Sequence, residues 1–204
     1  MSATATASAS VSGQTPSQTV GPFFHYGLIF PGENVLHREG AQGQRIIVTG
    51  QVFDGDGAPL PDVMLEIWQA DAHGRYRHPA DPRHADADPH FFGFGRSDTT
   101  HADQTFRFET VKPGTVPATE DVSPLAPHLA VHVFGRGLLT HLATRMYFAD
   151  EAAANATDPV FASLSAAQQK SLLALPQNDA DSDVRVYHWD LHLQGDSETL
   201  FFHP

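Results

Sequence analysis

Between residues 44 and 70 the chain reads QRIIVTGQVFDGDGAPLPDVMLEIWQA, two runs of β-branched, aromatic and aliphatic residues on either side of a Gly- and Asp-rich turn and two prolines. Runs of this kind suit a pleated, half-buried surface and the residues between them break the chain, so the stretch predicts a hairpin-like pair of strands. Four more runs read as strands: TFRFETV at 105–111, HLAVHVF at 128–134, LLTHLATRMYF at 138–148 and VRVYHWDLHLQG at 184–195. In the last of these, period-two alternation sets Tyr187, Trp189, Leu191 and Leu193 on one face and His188, Asp190 and His192 on the other. One helix is predicted. SAAQQKSLLAL opens on Ser165 with Gln168 three residues later, the spacing of a capping box that satisfies two backbone N–H groups at a helix start. Long loops cover residues 77–95 and 112–127, and loops of that length in a small domain serve a site or an interface. Short strands broken by turn chemistry predict a mainly β protein, a β-sandwich with long loops and one short helix.

Composition narrows the picture. A chain of 204 residues with 41% hydrophobic content supports one substantial core. Residues 15–204 are therefore expected to form a single domain, and the small, polar opening MSATATASASVSGQ, residues 1–14, to be a disordered tail. Twenty-four acidic against 12 basic side chains give a formal net charge of −12, and with no basic block the electrostatic attraction that drives binding to nucleic acid or anionic membranes is reversed in sign. There is no cysteine, which excludes disulfides, thiolate metal sites and a cysteine nucleophile and fits a reducing compartment. The opening has neither the basic start nor the apolar run of a secretory signal, and no segment is apolar enough to span a bilayer, so a cytoplasmic location is expected.

Thirteen histidines raise the question of a metal. The His188/Asp190/His192 face could hold one, or could be the polar side of a half-buried strand. His78, His84 and His90 share a loop with several aspartates, but their gaps match no metal-ligand spacing, which favours a solvated loop. His128 and His132 lie on one side of a strand but roughly 13 Å apart, too far to share an ion. Tyr76, in GRYRH, could be a phenolate ligand, a substrate contact or an ordinary half-buried aromatic. The chain carries no nucleophile elbow, phosphate-cradling glycine loop or zinc-binding helix.

The order of three segments is more specific than any one of them. GQVFDGDGAPLPDVMLEIWQADAHGRYRH, then FGRSDTTHADQTFRFETVKPG, then LTHLATRMYFADE, resembles the intradiol ring-cleaving dioxygenases, β-sandwich enzymes that use a non-haem ferric ion, and the likeness runs from about Thr15 to the end. The resemblance implies iron ligands of two tyrosines and two histidines. Tyr76 matches the first, Val116 stands where the second tyrosine belongs, and ungapped alignment puts Leu129 and Val131 at the histidine positions, with a shift able to restore His132 at most. Hard phenolates are needed to stabilise ferric iron, so one tyrosine among aliphatics implies no metal in this chain and makes Tyr76 a relic.

The losses, together with TPSQTVGPFFHYG near the start, APHLAVHVFGRGLLTHLATRMYF in the middle and GDSETLFFHP at the end, resemble the metal-free chain of two-chain members of the family. That likeness implies a homologous iron-bearing partner chain, a site at their interface, assembly of such pairs into a larger oligomer, and a catechol carboxylate and O2 as substrates. It also implies that Thr19, Gly21 and Pro22 wall the partner's site. Arg136, between two glycines, is a candidate for the substrate carboxylate. A binding module of transthyretin-like type and a self-sufficient metalloenzyme built on the histidines remain open as alternatives.

Overall fold

The computed structural model describes residues 15–118, 123–177 and 184–202; the expected tail over residues 1–14 lies outside them. After a short helix α1 (Phe24–Leu28) come strands β1 (Arg45–Phe53), β2 (Val63–Trp68), β3 (Phe94–Asp98), β4 (Thr105–Val111), β5 (His128–Gly135) and β6 (Leu142–Phe148). Helices α2 (Ala152–Asn155), α3 (Pro159–Ala162) and α4 (Ala166–Ser171) follow, then β7 (Leu173–Gln177), β8 (Arg185–His188) and β9 (Leu191–His192). The strands hydrogen-bond in the order β3-β2-β5-β6-β7-β8-β1-β4, with β9 continuing along β1; β6–β7, β8–β1 and β9–β1 are parallel, and the other neighbours antiparallel.

This sheet folds over on itself. Strand β1 alternates strictly, burying Ile46, Val48 and Val52 and leaving the residues between them half-buried. Those side chains meet Val63, Leu65 and Ile67 of β2, Leu129, Val131 and Val133 of β5, and Met146 and Phe148 of β6, with Phe106, Phe108 and Tyr187 closing one continuous core. Each such aliphatic side chain contributes about 1.5–3 kcal/mol on burial, which makes the two-layer sandwich the favourable solution for strands with one apolar face. A smaller cluster of Ala126, Tyr147, Phe161 and Leu172 lies under the helices on the opposite face of β6, with Leu200 and Phe202 packed against it.

Strands β1 and β2 do not pair as a hairpin. The turn forms, with Asp54 Oδ1 accepting from the N–H groups of Asp56 and Ala58, and Leu60 N–H still reaches Val52 C=O. Pro59 and Pro61 have no N–H to extend an antiparallel ladder, so the chain leaves β1 and enters the opposite layer. The capping box of α4 is present as expected, Ser165 and Gln168 bonding reciprocally, but the helix ends at Ser171. Leu173 onwards instead becomes β7, drawn into the gap between β6 and β8, where tertiary pairing outweighs the helical preference of the sequence. The strand expected over 138–148 begins at Leu142, that over 184–195 breaks between His188 and Leu191, and β3 lies at the edge of what read as loop.

Candidate functional site

The outward face of β2, β5 and β6 is ruled into rows by register. One row runs Trp68–Ala130–Arg145 and the next Glu66–His132–Ala143. Tyr76 is laid over the first row by the loop after β2, its ring stacked on Trp68 with centroids 5.9 Å apart and planes 13° from parallel.

That loop is held from within by carboxylates. Asp71, 2% exposed, accepts from the N–H groups of His73, Arg75 and Asp88. Asp88 accepts from Gln42 and His90, and Asp81 from Tyr76 N–H, Arg83 N–H and the Arg83 guanidinium. Burial alone would raise the Asp81 carboxyl, but the Arg83 and Tyr76 hydrogen bonds outweigh it and hold the group below its usual range. Asp81 and Asp88, which read as part of a solvated loop, are thus its internal frame, while Asp86, His78, His84 and His90 are exposed. Gly74 brings the next segment in. Its φ of +71° suits glycine, and any Cβ there would lie 2.0 Å from the Thr115 carbonyl oxygen, so the 115–116 backbone closes directly against the Tyr76 loop.

The result is a cavity of about 590 Å³ lined by Trp68, Tyr76, His78, Asp81, Arg83 and Val116, among others. Burial raises the Tyr76 pKa, and the positive charge of Arg145 offsets part of that rise. Tyr76 and Val116, matched at sequence level to the two tyrosine positions, therefore do share one site. Leu129 and Val131 do not. Each is 1% exposed and points into the sandwich core, on the face of β5 away from Tyr76. The β5 residues that share Tyr76's side of the sheet are Ala130 and His132, so the ungapped alignment is corrected by one residue, the shift that recovers His132 alone.

These donors do not fit a ferric ion. Tyr76 supplies one phenol, Val116 and Ala130 supply nothing, Asp81 is consumed by its own hydrogen bonds, and His132 lies a full row away. Among the described residues no group of three His, Asp or Glu side chains is arranged to hold a metal. On the β8–β9 face His188 Nε2 lies 3.1 Å from Asp190 Oδ1, that oxygen also accepts from Gln51 N–H, and His192 stacks on Phe53. His128 is buried, with Nδ1 2.7 Å from Ala126 C=O, and burial lowers its pKa; burial and neighbouring His141 lower that of His132.

The other predicted residues meet at the far end of the same strands, about 17 Å away over the five residues separating Val63 from Trp68. Thr19 docks on the turn after β5, its hydroxyl accepting from Gly137 N–H at 2.7 Å and facing Gly135 C=O. Beside it Arg136, the candidate for a substrate carboxylate, is ion-paired with Asp62, although its side chain stays 56% exposed. Gly21 and Pro22 are exposed, and a Cβ on Gly21 would meet nothing within 4 Å. Arg145 and Trp68 escaped the sequence reading. The available signal was a lone arginine in the otherwise uncharged LATRMYF strand, at an outward position of the alternation.

A family profile described as Dioxygenase matches residues 21–195. The chain is 44% identical to the protocatechuate 3,4-dioxygenase alpha chain of Burkholderia cepacia over 202 residues, covering 93% of this chain and 96% of that one. It is 36% identical to the beta chain of the same organism's enzyme over 160 residues, or 77% of this chain and 67% of that one. Catechol 1,2-dioxygenase from Acinetobacter sp. ADP1 shares the fold, with a TM-score of 0.60 and 20% identity over 83% of this chain and 60% of that one. With a mainly β sandwich, a Tyr76 site at the end of β2 and a match across nearly its whole length, the chain belongs to the intradiol dioxygenase family.

Proposed function

We propose that this chain is the alpha subunit of a protocatechuate 3,4-dioxygenase, paired one-to-one with a homologous beta chain that holds the catalytic Fe(III), the pairs assembling into a larger oligomer. The reaction is O2-dependent cleavage of protocatechuate between its hydroxylated carbons, giving 3-carboxy-cis,cis-muconate, a step of aromatic catabolism on the beta-ketoadipate route in the cytoplasm. The observation that carries this reading is near full-length similarity to an alpha chain, combined with a Tyr76 site whose neighbours cannot complete an iron shell. Iron bound by the beta chain would supply activation of the catecholate toward O2.

This chain's own part lies at the Thr19–Arg136 end. Thr19 anchors the arm to the β5 turn, and Gly21 and Pro22 then present a stretch with little side-chain bulk and one fewer N–H donor, suited to forming a wall close to a neighbour's pocket. Arg136, aimed by Asp62, keeps N–H groups for a substrate carboxylate that a chain of net charge −12 would otherwise repel. No helix among the described residues is long and apolar enough to cross a membrane.

The test is to purify the chain alone and with its beta chain and measure iron, visible absorbance and turnover. The chain alone is expected to be colourless, iron-free and inactive, and the one-to-one complex to recover all three properties. Stoichiometric iron in the isolated chain overturns the reading. Within the complex, Tyr76→Phe is expected to keep iron and colour; bleaching would make Tyr76 a ligand.

A further inference from the structure

We infer that His25 and Asp98 are positioning residues for the reaction: their ion pair fixes α1 to the end of β3 and so sets where Gly21 and Pro22 stand. The inference rests on the reading of the Thr19–Pro22 arm as a wall of the partner's site.

The arm runs directly into α1, and different strands hold the two parts. Thr19 is bound at the turn after β5, beside Gly135, which pairs with Val63 of β2. His25 Nδ1 lies 3.4 Å from Asp98 Oδ2, and Asp98 pairs with Met64 on the other side of β2. The two anchors, on the strands that flank β2, therefore stand about 10 Å apart, two interstrand spacings. Between them Phe24 N–H bonds back to Gly21 C=O at 3.2 Å, so the turn that starts at Gly21 is tied to the helix that His25 holds. A helix of five residues has no stability of its own. Phe24 is its one buried residue, and Phe23 and Tyr26 are 77% and 81% exposed, so packing alone holds it weakly.

The pair is chemically matched. Asp98 lies in the outward row Asp98–Met64–Phe134 yet is only 6% exposed, and among the described residues its carboxylate accepts a hydrogen bond from Thr100 Oγ1 alone, at 3.0 Å, with no Lys or Arg within ion-pairing distance. Both ring nitrogens of His25 are shut off from solvent and without a hydrogen bond among the described residues. A buried carboxylate without a cation is costly, and so is a buried imidazole without a partner. A protonated His25 answers both groups at once. His101 Nε2 stands 4.0 Å from Asp98 Oδ1, but its side chain is 67% exposed, so solvent screens it and it does not replace the buried contact.

Hydrogen exchange on the isolated chain and on the one-to-one complex, followed by steady-state kinetics of the complex, provides the test. His25→Ala is expected to speed exchange of the Phe24, Gly27 and Ile29 amides about tenfold, while the β2–β5 ladder stays as slow as in wild type. His25→Gln and Asp98→Asn should each raise KM for protocatechuate up to about tenfold with kcat little changed, since a displaced wall weakens ground and transition states alike. The double variant, in which two amides can bond each other, should lose no more than either single one. Equal exchange at α1 in wild type and His25→Ala, or losses that multiply in the double variant, overturns the pairing. Faster exchange at α1 with an unaltered KM overturns the positioning role, and if Gly21→Val is silent as well, the failure lies in the reading of the arm as a wall rather than in the anchor.

Discussion

The two ends of the β2–β5 strand pair are built in opposite ways. At the Trp68 end a long loop is pinned by buried Asp71, Asp81 and Asp88, and the side chains it delivers close over a cavity that belongs wholly to this chain. At the Val63 end a short arm rests on one threonine hydroxyl, the nearby arginine is answered by a single aspartate, and the residues beyond face open space. The contrast teaches that the two ends differ in how much of their structure is internal: the carboxylate frame holds the Tyr76 loop by this chain's own hydrogen bonds, while the Thr19 arm is held at few points and leaves its residues exposed.

The comparison can be broken most forcefully on β5, whose two faces separate core from cavity. Val131→His places an imidazole in the dry sandwich and is expected to cost about 3 kcal/mol, lowering the melting temperature by roughly 6–12 °C. Ala130→His, one residue away on the cavity side, should change stability by less than about 1 kcal/mol; equal losses in thermal melts would mean the faces are misassigned.

A smaller effect is expected from Asp81→Asn, which removes the charge from four accepted hydrogen bonds and should cost about 2 kcal/mol. The folded Asp81 pKa lies below its unfolded value, so its stabilisation is full above about pH 4 and lost as pH falls through the folded pKa. Denaturant titrations should therefore show wild type and variant converging only in strong acid.

His128 has the same sign at a higher pH. Burial depresses its folded pKa, so the unfolded chain takes up its proton first, and stability is retained above about pH 6.5 and lost as pH drops below it. His128→Gln should flatten that part of the pH–stability curve. The smallest structural effect belongs to Gly21→Val. With nothing within 4 Å of the new Cβ, the chain's own stability should move by less than about 0.5 kcal/mol, so a fall in turnover of the complex would report only what the arm approaches outside this chain. Unchanged turnover would detach the Val63 end from catalysis.

How far the sequence could be read follows from where its signals are local. The alternation of RIIVTGQVF and TFRFETV and the Ser165–Gln168 box are written within a few residues, and those elements formed as expected. The pairing of β1 with β4 and β8 rather than β2, and the conversion of LALPQ to a strand, depend on partners far along the chain that no local pattern reveals. In the site, Tyr76 and Val116 could be placed because a motif precedes each. The histidine positions slipped because HLAVHVF offers histidines on one face and aliphatics on the other, and a single-residue shift exchanges the two. The aspartate frame was illegible for another reason: a carboxylate that caps its own loop and one that faces solvent have the same letter.

The place of β1 in the sheet sets a timetable for the newborn chain. It is hydrogen-bonded on one side to β4 and on the other to β8, which starts at Arg185. At translation rates of about 5–20 residues per second, the ribosome needs roughly 7–26 s after finishing β1 to deliver that second neighbour. Throughout that interval one edge of a nine-residue, largely apolar strand has only improper partners available, and contacts of such wide sequence separation close slowly even after release. The yield of active protein should therefore depend on growth temperature and chaperone supply more steeply than the stability of the finished sandwich would suggest.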